Sequence, residues 1–172
     1  MPTYFKHLLS LACLFVATNV FAEGFRLSTS AFRDKERLPV LYSCDGRDIS
    51  PQIAWTGSPP GTKTFVLIMS DPAASKGTFY HWILFNIPNK TTIISQGMVK
   101  AIPGSLLGQN DFGKNTYSGP CPPKGSVHTY HFTVYALDTS LPLNNGASAN
   151  AVLQAMQKHI IGQNELTALY SH

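Results

Sequence analysis

At 172 residues, with 44% apolar and 13% charged residues, the chain has the length of one domain and enough apolar material for a core, which excludes a disordered or low-complexity protein. The formal charge of +4 falls by one, to +3, if Lys6 leaves with a leader, and the other basic residues are scattered from Arg26 to Lys158. No basic cluster marks a nucleic-acid surface; a mildly basic surface gives solubility or modest attraction toward anions.

The first residues read as a secretory signal peptide over residues 1–22. Lys6 and His7 precede an apolar run from Leu8 to Val16, and Val20-Phe21-Ala22 carries small residues where a signal peptidase requires them. Cleavage after Ala22 leaves a domain over residues 23–172, periplasmic or secreted. The run is too short to span a bilayer, and no later stretch reaches the ~20 apolar residues of a transmembrane helix, so the mature protein is expected to be soluble. Ser10-Leu11-Ala12-Cys13 loosely suggests lipid attachment at Cys13, but too few apolar residues precede it, and no lipidation is expected.

Gly24 to Ala31 sets Phe25, Leu27, Thr29 and Ala31 against more polar neighbours, the period of a half-buried strand, and a charged turn from Arg33 to Arg37 follows. Further strands are expected at Val40 to Tyr42, Ile53 to Trp55, Phe65 to Met69, Trp82 to Ile87 and Tyr130 to Leu137, each rich in β-branched or aromatic residues. Asp45-Gly46, Ser58-Pro59-Pro60-Gly61, Ile87-Pro88-Asn89 and Gly119 to Gly125 punctuate them with turn chemistry. Gly97 to Tyr117 has no sustained period and is expected to be a long loop over the sheet, a length that in compact domains usually serves function. Near the end Ser148 is an N-cap, Val152, Leu153, Met156 and Ile160 recur on one helix face, and Gly162 stops the helix; Glu165 to Tyr170 is then extended. Many short strands and one late helix predict a mostly β fold, a sandwich rather than an alternating βαβ fold.

Removing the leader leaves Cys44 and Cys121, and an even pair in an exported chain points to a disulfide, two separate buried thiols being the alternative. The chain-entropy model gives a bridge closing such a long loop roughly 4 kcal/mol.

Asp71 follows an apolar strand, His81 opens another, and the Pro-rich stretch Gly119 to Gly125 leads into His128-Thr129-Tyr130. Strand ends hold polar groups at the mouth of a pocket, although each residue alone is as readily a turn or structural residue. His128, Tyr130, Phe132 and Val134 share one strand face, so imidazole and phenol stand beside each other above an apolar floor. His128 and His131 fall on opposite faces and cannot meet one ion, so no metal is expected, and no cofactor. Without a Gly-x-Ser-x-Gly elbow or phosphate loop, a hydrolase ranks behind a binding protein.

Several ordered motifs resemble the phosphatidylethanolamine-binding proteins, also called Raf kinase inhibitor proteins, and the bacterial members above all. They are Tyr42-Ser43-Cys44-Asp45-Gly46 with Ser50-Pro51, Pro60-Gly61-Thr62-Lys63, Asp71-Pro72, His81-Trp82 with Asn86-Ile87-Pro88, Asn110 to Lys114, and Gly119 to Gly125 with Tyr135 to Asp138. The resemblance implies a Greek-key β-sandwich with a long pocket loop and a C-terminal helix. It also implies a pocket for phosphate, another small anion or a lipid head group, and in some members a homodimer. Carried over, the ligand-binding residues are Asp71, His81, Cys121, Pro122, Pro123, His128 and Tyr130, with Trp82 beneath; no residue is assigned a catalytic role. Inhibition of a protease or kinase through surface loops is the alternative function, with a protein target as partner. Tyr170, near the end, resembles aromatic residues that close the pocket in some relatives. Two departures stand out: the usual Asp-Pro-Asp-Ala-Pro reads Asp71-Pro72-Ala73-Ala74-Ser75, and the usual His-Arg-Tyr reads His128-Thr129-Tyr130.

Overall fold

A computed structural model describes residues 24–172, so the expected leader and Cys13 lie outside the described residues. Two antiparallel sheets pack face to face. The smaller contains β1 (Arg26–Ser28), β2 (Ile53–Thr56) and β5 (Ile93–Ile94) in the order β1-β2-β5. The larger contains β3 (Thr64–Asp71), β4 (Phe79–Pro88), β6 (Leu106–Leu107), β7 (His128–Leu137) and β8 (Ile160–Tyr170), in the order β6-β4-β3-β7-β8. From β4 the chain crosses to the smaller sheet at β5, returns to the larger one as β6 beside β4, and then runs to β7 beside β3, a long return of Greek-key type. Among the described residues one α-helix, α1 (Ala149–Met156), precedes β8. The mostly β sandwich with a single short late helix is therefore as anticipated.

The near-continuous apolar run of β3 follows from its position. Phe65, Leu67 and Met69 face the sandwich core with Trp55, Trp82 and Phe132, whereas Val66 and Ile68 pack on the other face with Ile83, Phe85, Val152 and Met156. A strand covered on both sides loses the polar half of its alternation. Each such side chain contributes about 1.5–3 kcal/mol by leaving water, which makes β3 the anchor for its neighbours.

Three local expectations are corrected. Val40–Tyr42 is a turn of 3-10 helix rather than a strand: Pro39 leads in at φ −59° and ψ 142°, and the N–H and hydroxyl of Ser43 both donate to the Val40 carbonyl. The α-helix ends at Met156, short of Ile160, because His159 N–H closes onto the Met156 carbonyl and the Asp138 N–H takes the His159 carbonyl, turning the chain into β8. Gly162 is then a strand residue, where a Cβ would lie 2.6 Å from the Pro59 ring, so close packing rather than helix termination requires glycine. The first strand is also shorter than expected, since the Thr29 hydroxyl bonds the Gln52 carbonyl and the Ala31 N–H and turns the chain away. Gly97 to Tyr117 is largely irregular, as expected, but β6 within it pairs with β4. Among the described residues no helix is long and apolar enough to cross a membrane.

Candidate functional site

Because β3 runs antiparallel to both β4 and β7, its C-terminal end meets their N-terminal ends: Asp71 pairs with Phe79, and Ser70 with His131. One edge of the sheet thereby gathers Asp71, His81, His128 and Tyr130. All seven residues anticipated at the pocket, these four with Cys121, Pro122 and Pro123, line one cavity of about 260 Å³.

The buried Asp71 carboxylate is committed at both oxygens. Oδ1 accepts the Ala73 N–H at 2.9 Å, shaping the turn after β3, and Oδ2 accepts His128 Nδ1–H at 2.7 Å. His81 Nδ1–H donates to the Ser118 carbonyl at 2.8 Å. A carbonyl only accepts, so this bond fixes the tautomer, and each imidazole is left with Nε2 alone for a ligand. Burial pushes the His81 imidazole below its ordinary value, against the opposing pull of the Ser118 carbonyl and the Asp71 charge. Burial, reinforced by Asp71, drives the Tyr130 phenol far up, so that it stays protonated as a donor.

The remaining wall is aromatic. Phe79 and Phe112 stand edge to face with centroids 4.8 Å apart, and both pack on His81, at 5.1 and 5.6 Å. Neither phenylalanine was anticipated. Phe79 was legible as the residue two before His81 on the same strand face, whereas Phe112 arrives from an aperiodic loop, where the Asn110 to Lys114 motif marked the segment but no period showed which side chain enters the cavity. That loop is fastened by buried Asn110: its Nδ2–H group donates to the carbonyls of His81 at 3.1 Å and Thr116 at 2.9 Å, and its Oδ1 accepts the Phe112 and Lys114 N–H groups.

The Pro-rich wall is fixed in turn. Gly119 N–H donates to Asp48, and a Cβ at Gly119 would lie 2.2 Å from the Tyr42 carbonyl oxygen, so only glycine permits this approach. Cys44 N–H donates to the Pro120 carbonyl, and the Cys44–Cys121 disulfide forms with Cα atoms 5.5 Å apart across 77 residues.

Residues outside these seven take other places. Trp82 is fully buried in the sandwich core, edge to face with Tyr117 at 5.6 Å, and does not line the cavity. Tyr170 is also outside the lining; its hydroxyl donates to Asp45 and lies 2.7 Å from Ser43 Oγ. His131, on the opposite face from His128, pairs with Glu165 at 3.0 Å. Of the two departures, Ala73 lines the cavity and Thr129 does not, so only the first alters the wall.

A family profile described as phosphatidylethanolamine-binding protein matches residues 28–171. The chain is 46% identical over 147 residues to a UPF0098 protein of Methanothermobacter thermautotrophicus, covering 84% of this chain and 97% of the relative. It is 38% identical over 157 residues to the Escherichia coli UPF0098 protein YbhB, covering 85% and 99%. Among solved structures it resembles Escherichia coli YbcL, described as a member of the mammalian PEBP family, with TM-score 0.83, 31% identity and coverage of 87% of this chain and 99% of that one. It also resembles the phosphatidylethanolamine-binding protein homologue CT736 of Chlamydia trachomatis, with TM-score 0.79, 32% identity and coverage of 87% and 98%. A profile match across nearly all the described residues, joined by relatives aligned over almost their whole lengths, establishes that the chain belongs to the phosphatidylethanolamine-binding protein family.

Proposed function

We propose that this protein is exported and binds a small anionic group, a phosphate or a phosphoethanolamine-like head group, in the Asp71–His81–His128 cavity without catalysing a reaction. The observation that carries the reading is the pair of imidazoles whose Nδ1 atoms are both engaged, leaving two Nε2 positions at one cavity. Protonated, each offers a charged N–H donor to an anion, and the Tyr130 hydroxyl lines the same space. About 260 Å³ suits a head group and is too little for a larger organic ligand. The aromatic rings of Phe79 and Phe112, lining the cavity together with Asp71, suit the ammonium end of a zwitterion.

Against catalysis stands the state of two nucleophiles in the wall: the Cys121 sulfur is held in a disulfide, and the Tyr130 phenol is kept protonated by burial. Calorimetric titration of the mature chain with phosphate and with phosphoethanolamine, near pH 6 and near pH 8, tests the reading. Binding that strengthens on acidification supports it; absence of binding at both values contradicts it.

A further inference from the structure

At Cys121, in the Pro-rich wall of the anion cavity, His172 lies beside the Cys44–Cys121 disulfide. The ligand atoms of Cys44, Cys121 and His172 all lie within 4.8 Å of one another, and all three residues are exposed. We propose that the dithiol form of this protein binds one zinc ion through Cys44 Sγ, Cys121 Sγ and His172 Nε2.

The geometry is close to what zinc needs. A tetrahedral ion with Zn–S and Zn–N bonds of ~2.3 and ~2.0 Å holds its sulfur and nitrogen ligands roughly 3.6 Å apart. Cys121 Sγ and His172 Nε2 are 3.9 Å apart already. The two sulfurs separate to roughly 3.8 Å in such a site, a movement that rotation of two exposed side chains supplies. Their Cα atoms, 5.5 Å apart, stay in place.

The histidine is oriented for the role. His172 Nδ1–H donates to Asp45 at 3.0 Å, which sets the tautomer with the lone pair on Nε2, the nitrogen nearest sulfur. Asp45 is held in its turn by the Tyr170 hydroxyl. A carboxylate behind a ligating histidine is the usual outer support of a zinc site, and two thiolates with one imidazole select zinc over calcium or magnesium.

The site arises by two balanced steps. A dithiol reductant gives two electrons and two protons to the disulfide, leaving Cys44 and Cys121 as thiols and itself oxidised to a disulfide. Zinc then forms two Zn–S bonds as both thiols release their protons to solvent, and His172 Nε2 donates its lone pair with no proton change. Three protein ligands leave the fourth position to water. The metal thereby replaces the covalent tie between the Cys44 loop and the cavity wall at Cys121, closing the same chain loop.

The experiment reduces the full mature chain with a phosphine, removes the reductant without oxygen, and titrates with Co²⁺ and then Zn²⁺. The expected result is one equivalent of tetrahedral cobalt with thiolate charge-transfer absorption, displaced by zinc, in the reduced but not the oxidised protein. His172→Gln, which leaves the disulfide and the cavity residues intact, lowers the zinc affinity at least ~10-fold, as does Asp45→Asn, while His159→Gln has no effect. An unfolded reduced chain binds through thiols alone and shows equal affinity with and without His172. Equal affinity of the His172→Gln variant, no cobalt absorption after reduction, or the same absorption with the disulfide intact overturns the proposal.

Discussion

His128 on β7 donates through Nδ1 to Asp71 Oδ2 at the end of β3 at 2.7 Å, with only 13% and 5% of the two side chains left in contact with water. Residues 57 apart in the chain are thus locked as a pair at the base of the cavity. The pair joins the fold to the site, because it ties two strand ends and aims the ring.

Truncating Asp71 leaves the nearly buried His128 Nδ1–H without its carboxylate acceptor. Asp71→Ala is expected to lower the unfolding free energy by about 2 kcal/mol, the range for hydrogen bonds to charged groups, and Asp71→Asn by less. Urea unfolding followed by tryptophan fluorescence measures both; an Asp71→Ala midpoint equal to wild type contradicts this role.

His81 makes stability depend on pH. Its folded pKa is lowered by burial, so below the unfolded value of about 6.5 the unfolded chain takes up a proton that the folded chain resists. Stability is therefore expected to fall as pH drops through 6.5, and the fall to level off once the folded imidazole also titrates. Melting curves from pH 7.5 to 5.5 should show a shallower slope for His81→Asn than for wild type. Saturating phosphate should offset part of the wild-type loss, since an anion favours imidazolium.

Phe112 separates the two ends of the ligand. It lines the cavity and is 45% exposed, and an ammonium over a ring of that exposure gains about 0.5–1 kcal/mol. Phe112→Ala should weaken phosphoethanolamine binding about two- to fivefold and leave inorganic phosphate unchanged. Equal losses for both ligands would place the effect in the loop rather than in cation recognition.

The leader and the bridge are checked together by intact mass. Mature protein from the exported fraction should begin at Glu23 and take up no alkylating reagent at Cys44 or Cys121 before reduction. An acylated Cys13, or two labelled thiols, refutes the respective claim. Cys44→Ser should cost about 4 kcal/mol, the value the length of the closed loop gives.

The sandwich strands were readable because β-branched and aromatic runs such as Phe65 to Met69 are bounded by strong turn residues. Val40 to Tyr42 has the same composition and is not a strand; Pro39 and the Ser43 hydroxyl, local features that outweigh a three-residue propensity, close it into a turn. Ile160 fits the helix period but begins β8, because helix and strand share an apolar residue at their junction and the period does not say which owns it. At the site, Asp71, His81 and His128 were visible as polar residues at strand ends and through motif resemblance. Phe112 reaches its place from an aperiodic loop and His172 from beyond β8, and where a side chain lands from such a segment is set by tertiary packing.

The central claim, that the two imidazoles form the anion site, is tested most directly by calorimetric titration of phosphoethanolamine into wild type, His128→Ala and His159→Ala at pH 6 and pH 8. His159 pairs with Asp138 at 2.8 Å in the turn after α1 and does not line the cavity, so it controls for general basic attraction. The account predicts tighter wild-type binding at pH 6, a loss of roughly 10-fold or more in His128→Ala, and no change in His159→Ala. Equal binding by the two variants, or binding that does not strengthen at pH 6, would contradict it.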